Sequence, residues 1–312
     1  MIERVVVVTK KTALEELIER FNSEAQARFY IEHLGGSFEE YARAHARYAS
    51  AVEALKRAVP RTLKQHTIER AFLPNYLFSE RDLVVTIGPD GLVVNAAKYL
   101  DHQPILAVNP DPDRVDGVLV PFRIDEATEW ISRAAAGRAT LRPVAMAKAA
   151  LNNGQVLYAF NDLFIGPRTH VSARYRIELG DRSENQSSSG IIVSTGAGST
   201  GWLQSVVTGS VRVAASITGV ELTPPTPESY RLPWEAEELY FAVREPFSSR
   251  TSQATIVFGR LGPDEKLVLS SHMPEQGVVF SDGIERDYLD FNAGAVATIG
   301  LAERKAHLVV RV

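Results

Sequence analysis

Apolar residues follow two rhythms in the first part of the chain. Val5–Val8, Leu83–Ile87 and Ile105–Val108 are short unbroken apolar runs, the pattern of strands buried on both faces. Between them the spacing lengthens to a helical period. Phe38, Tyr41, His45, Tyr48, Val52, Leu55 and Val59 fall alternately three and four apart, and Pro60 stops them. This stripe predicts a long helix whose face packs on a core or seats a second copy, with His45 as a partnered polar residue. Capping-box pairs open three helices: Thr12 with Glu15, Ser23 with Gln26, and Ser37 with Glu40. Gly35-Gly36 ends the second. The Leu83–Ile87 strand enters Gly88-Pro89-Asp90-Gly91, then a helix to about Leu100, then the strand Ile105–Val108. Strand, helix and strand in that order predict a parallel sheet. A further helix is expected over Asp125–Arg138.

From about Thr140 the pattern changes to short β-rich runs separated by turns. Strands are expected at 155–160, 163–165, 172–179, 190–194, 239–244, 254–258, 266–270, 278–280, 295–299 and 308–312. "ENQSSSG" reads as a polar hairpin tip or loop, and "ELTPPTPESYRLPW" as a proline-rich loop. The chain thus divides into an α/β N-terminal domain with a parallel sheet (1–139) and a mainly antiparallel, β-rich C-terminal domain (140–312).

Composition narrows the function. The 312 residues are 45% hydrophobic and 23% charged, ordinary for a globular protein with a real core. A net charge of −4 disfavours an electrostatic grip on nucleic acid. No run approaches the roughly 20 apolar residues of a membrane span, and the first residues do not read as a signal peptide. Cysteine is absent, which excludes disulfides and thiolate chemistry and fits a reducing, cytoplasmic setting. The seven histidines do not cluster in sequence, so no metal site is expected.

Three stretches carry candidate chemistry. Gly88-Pro89-Asp90-Gly91 lies between a strand and a helix N-terminus, where free N–H groups attract phosphate. An aspartate there repels phosphate unless it has a task, such as holding Mg²⁺ or accepting a hydroxyl proton. The same four residues also make an ordinary β-turn. Asn161-Asp162 is a polar pair at a strand start, suited to a ribose diol or an adenine edge, or to a turn. Ser187–Trp202, "SSSGIIVSTGAGSTGW", is a strand followed by a loop of small residues and hydroxyls over which a nucleotide lies close. It lacks the G-K-[ST] of a Walker A loop, and no H-E-x-x-H, G-x-S-x-G or G-x-G-x-x-G occurs.

In this order the three stretches resemble the NAD kinase family, with its G-G-D-G-[TN] turn, N-E pair and T-x-T-G-S-x-A-[YW] loop. The text between them is similar to the mitochondrial-type branch and its bacterial relatives. Ala107–Phe122, "AVNPDPDRVDGVLVPF", matches that branch's Asn, Asp-Pro and Gly-Leu stretch, and Ser281-Asp282-Gly283 matches a late Asp-Gly turn. The resemblance covers roughly Asp82 to Gly300. It implies a two-domain fold with the site in the cleft between them, and transfer of phosphate from ATP to the adenosine-ribose 2′-hydroxyl of NAD(H). Asp90 would accept or orient the hydroxyl proton. Gly88, Gly91, Asn161, Asp162, Ser189, Thr195, Gly198, Ser199, Thr200 and Trp202 would hold the nucleotides, and Mg²⁺ would bridge the ATP phosphates. The partners implied are small-molecule nucleotides and further copies of the chain, as a homodimer or higher homo-oligomer.

Three residues depart from the family pattern. Pro89 replaces the second glycine and removes an N–H. Leu92 replaces Thr or Asn, and Asp162 replaces Glu. Two alternatives therefore stand beside an NAD(H) kinase. One is a lipid or sugar kinase of the same superfamily. The other is a nucleotide-binding protein with weak or no kinase activity.

Overall fold

The computed structural model describes residues 2–223 and 226–311 and resolves the chain into two compact units. The first runs to Arg142 and regains the chain from His307; the second spans Pro143–Ala306. The tail from His307 groups with the first unit. Strand Val296–Val310 ends by pairing His307 and Leu308 in parallel with Pro104 and Ile105 of the first unit.

The first unit is built on parallel strands. Arg4–Thr9 lies between Lys64–Glu69 and Asp82–Ile87, and Asp82–Ile87 pairs with Pro104–Asn109. Val5 to Val8 are fully buried, as the continuous apolar run requires. Asp82, buried at the start of its strand, is neutralised by Arg4 at 2.7 and 2.6 Å. The helix Phe38–Ala58 buries Phe38, Val52 and Leu55, as its stripe predicts. His45 Nδ1 meets the Thr12 hydroxyl at 3.0 Å, so it is a partnered residue. The Thr12–Glu15 box forms in full, and Ser23 caps through Gln26 N. Ser37 makes no side-chain cap; its carbonyl accepts from Glu40 N instead.

In the second unit the strand pairs are antiparallel. One group runs Arg182–Ser188, Ala173–Leu179, Leu267–Ser271 and the first part of Val296–Val310. A six-stranded sheet orders Phe258–Leu261, Leu239–Val243, Ile191–Ser194, Asp162–Pro167, Gly277–Ser281 and Ile284–Asp290. Leucine, isoleucine, valine and aromatic residues of both groups form one large core.

Several segments differ from expectation, among them the unexpected strands Lys64–Glu69, Thr140–Leu151 and Ile284–Asp290. "ENQSSSG" is not a loop: Arg182–Ser188 is a strand whose inward positions Glu184, Gln186 and Ser188 are buried and polar. Glu184 accepts from Thr255 N and Ile256 N at 2.9 Å each, and Gln186 accepts from the Tyr175 hydroxyl at 2.9 Å. Their partners let polar side chains sit where the alternation rule expects apolar ones. The strand expected at 254–258 is shifted to Phe258–Leu261. Trp202–Thr218 is a helix, which the glycine–serine texture before it did not announce. In the proline-rich segment Pro227–Tyr230 is a short helix, and 224–225 lie outside the described residues. Among the described residues no helix is long and apolar enough to cross a membrane.

Candidate functional site

Each unit gathers its own set of candidate residues. In the first, the buried strand Asp82–Ile87 delivers the chain to the turn, and the helix Asp90–Ala97 starts directly after Pro89. Gly88 N donates to Val108 O at 3.2 Å, so this N–H is already used by the sheet. Pro89 stands at the N-cap with φ −73° and ψ 170°, a position that suits its fixed φ. Leu92 is buried and covers Gly88, where an added Cβ would lie 2.9 Å from Leu92 Cδ2. The departure at 92 thus exchanges a polar group for core packing. Gly91 is exposed with open space above it.

Asp90 is the first residue of that helix, and its carboxylate accepts two backbone bonds. Val118 N donates to Oδ2 and Leu119 N to Oδ1, each at 3.0 Å. An ionised carboxylate has about four acceptor positions, so lone pairs remain for a substrate hydroxyl.

In the second unit the other motifs come together. Asn161 O accepts from Thr195 N at 2.9 Å, and the Thr195 hydroxyl donates to Phe160 O at 2.6 Å while accepting from Gly198 N at 3.2 Å. Ser199 donates its hydroxyl to Gly196 O at 2.7 Å. Thr195 and Ser199 are fully buried, so their hydroxyls build the loop and face the protein. Thr200 and Gly201 are exposed. A Cβ at Gly198 would lie 2.3 Å from Asn161 O and 2.8 Å from Asp162 Oδ1. Only glycine allows the loop so close to the Asn161-Asp162 pair. Gly198→Ala is therefore expected to lower stability by about 2–3 kcal/mol, read by thermal melts against wild type.

Sequence reasoning noted Asp282 without giving it a role. Its Oδ1 accepts from Asn161 N at 2.7 Å and Asp162 N at 3.2 Å, and its Oδ2 from Phe160 N at 3.0 Å. Asp282 N returns a bond to Asp162 O at 2.9 Å. One carboxylate thus fixes three successive amides of the pair's turn.

Asp162 is the unusual acid of the set. Its Oδ1 is buried without a hydrogen-bond partner. Burial, aided by the Asp282 charge and only partly opposed by the Ser194 hydroxyl, pushes its carboxyl up to about 7. The native state therefore holds a proton that the unfolded chain releases near its ordinary value of 3.8. Stability from this group is full below that value and lost as pH rises to 7 and beyond. Asp162→Asn removes the burden, and its melting temperature is expected to exceed wild type at pH 8 and match it at pH 4, with a difference on the order of 3 kcal/mol.

Ser189 and Trp202 lie in a separate cavity of about 620 Å³ that they share with Phe164, Arg244, Phe280 and Tyr288. Trp202 stacks on Phe164 with centroids 5.6 Å apart and planes at 11°. The Arg244 guanidinium lies 5.3 Å from the Trp202 centroid. A flat aromatic wall beside a cation suits a planar, anionic ligand of nucleotide size.

No family model matches the chain. A probable NADH kinase of Oryza sativa subsp. japonica is 28% identical over 226 residues, 65% of this chain. The match spans 63% of that relative's length. The crystal structure of yeast NADH kinase complexed with NADH superposes with a TM-score of 0.56 at 16% identity, covering 100% of this chain and 84% of the other. The resemblance to the NAD kinase family holds in sequence and in fold. An NAD kinase from Archaeoglobus fulgidus in complex with ATP gives the same score and identity, covering 98% of this chain and 93% of its own. The NAD kinase fold supplies what the sequence expected: a mixed sheet with parallel strands and helices, and a second, antiparallel sheet.

Among the described residues no three His, Asp or Glu side chains gather as metal ligands.

Proposed function

We propose that this protein phosphorylates the adenosine-ribose 2′-hydroxyl of NAD(H), using ATP to form NADP(H) and ADP. The observation that carries the reading is Asp90: an acid at the carboxyl end of a buried strand, held by two amides, within an NAD kinase fold. Asp90 accepts the proton of the 2′-hydroxyl, and that oxygen attacks the γ-phosphorus. The new O–P bond forms as the bond to the ADP oxygen breaks, and the proton passes from Asp90 to solvent. Phosphoryl transfer of this kind needs positioning and charge more than covalent help. Asn161 and Asp162 hold the adenosine part, and the loop Thr195–Thr200 offers its backbone to the nucleotide. Ser189, Trp202 and Arg244 receive a further flat, charged portion of a ligand.

The lipid or sugar kinase alternative draws no support from the named relatives, all of them NAD(H) kinases. Mg²⁺ as the partner of ATP, a homodimer or higher homo-oligomer, and a cytoplasmic setting complete the proposal.

The test is direct. Purified protein is incubated with ATP, Mg²⁺ and either NAD or NADH, and product is followed with an NADP-specific dehydrogenase. Product from at least one acceptor is expected. Failure with both, while NAD or ATP still raises the melting temperature, leaves a nucleotide-binding protein and ends the kinase reading.

A further inference from the structure

Asp90 is not free to turn. Its two carboxylate oxygens take the amides of two successive residues, Val118 and Leu119, 28 and 29 positions further along. The approach depends on Gly117. A Cβ there would lie 3.0 Å from Asp90 Oδ1 and 2.0 Å from Val120 Cγ2. The segment leading to it is itself pinned. Asn109 Nδ2 donates to Val115 O at 2.8 Å, Asn109 Oδ1 accepts from Asp111 N at 3.0 Å, and Val115 N closes a turn on Asp111 O at 2.9 Å. Asp111 also meets Arg47 of the long helix at 3.4 Å. Asn109 ends the strand beside the one that carries the Gly88 turn. The amides and the acid thus hang from neighbouring strands of one sheet, while the Val118 side chain is 73% exposed. An exposed valine whose amide is so engaged is there for its backbone.

We propose that the Val118 and Leu119 amides, with Gly117 as the gap that admits them, are the positioning device of Asp90. They fix the carboxylate plane so that its remaining lone pairs face the substrate hydroxyl. This rests on the kinase reading above and deepens it. Catalysis is sensitive to such placement, and a shift of roughly 1 Å costs about a hundredfold in rate. The Val118 amide is a clean target, because proline deletes an N–H and its side chain here meets solvent. Val118 is also absent from the positive-φ residues, so its backbone is not in the left-handed region that proline excludes.

The experiment compares wild type, Val118→Ala and Val118→Pro. Val118→Ala keeps the amide and is expected to match wild type. Val118→Pro is expected to lose about ten- to a hundredfold in kcat with the KM for NAD(H) little changed, while folding as judged by circular dichroism and melting temperature. A folded Val118→Pro variant with wild-type kcat overturns the proposal, as does a loss confined to KM. Amide hydrogen exchange gives a readout that needs no turnover. Val118 and Leu119 are expected to be protected in wild type and to lose that protection in Asp90→Ala. Unchanged protection overturns the clamp whether or not the wild type makes NADP(H), whereas an inactive wild type with lost protection defeats the kinase reading alone.

Discussion

Asp90→Asn is expected to cut NADP(H) formation by about a thousandfold, within the range that a positioned general base supplies. Two effects combine. The amide no longer accepts the hydroxyl proton, and its NH₂ group is brought against the N–H of Val118 or Leu119 in place of a carboxylate oxygen. Two facing donors repel, so the orientation of the side chain is lost with its basicity. Under the proposed function most of the residues that hold the nucleotide belong to the second unit, so binding is expected to survive. The variant should show a wild-type rise in melting temperature with NAD and almost no product in the coupled assay. Product at wild-type rates would remove Asp90 from the chemistry.

Asp282→Ala is expected to have the largest effect on stability, roughly 3–5 kcal/mol, because it strips the acceptor from three amides at once. Hydrogen bonds to a charged group are the stronger kind, and each donor left buried carries its own desolvation cost. The melting temperature should fall by about 10 °C. The local effect is more specific than the global one. The turn Phe160–Asp162 carries the Asn161 carbonyl that receives Thr195 N and the Phe160 carbonyl that receives the Thr195 hydroxyl. Losing Asp282 therefore loosens the pair and the loop together. Asp282→Asn keeps one acceptor oxygen and should recover part of the loss. An Asp282→Ala variant as stable as wild type, with undiminished affinity for NAD, would show that the turn holds without it.

The strands of the first unit were legible because the parallel sheet buries both faces, so Val5–Val8 and Leu83–Ile87 announce themselves as unbroken apolar runs. Lys64–Glu69 gave no such signal; among the described residues it pairs only with Arg4–Thr9, and four of its six residues face solvent. Arg182–Ser188 hid for a different reason. Its inward side is polar, and only the partners Thr255, Ile256 and Tyr175 make that tolerable. The helix Trp202–Thr218 is rich in valine and holds Gly209, against helix propensity. Its first two turns are held by packing of Leu203, Val206 and Val207 on a small cluster. In the site, Asp90 was readable because a carboxylate in a glycine turn is chemically odd. The groups that hold it were not, since a backbone amide has no letter in the sequence. Asp282 has a letter, but its partners lie 120 to 122 residues away, a distance over which spacing carries no pattern.

The pairing of His307 and Leu308 with Pro104 and Ile105 sets an order on how the molecule is made. Roughly 200 residues must leave the ribosome after Ile105 before that margin of the first sheet is covered, an interval of about 10–40 s at ordinary rates of synthesis. During it the hydrogen-bonding groups of Pro104 and Ile105 lack their late neighbour, and the nascent first unit carries an open border that stray strands are able to join.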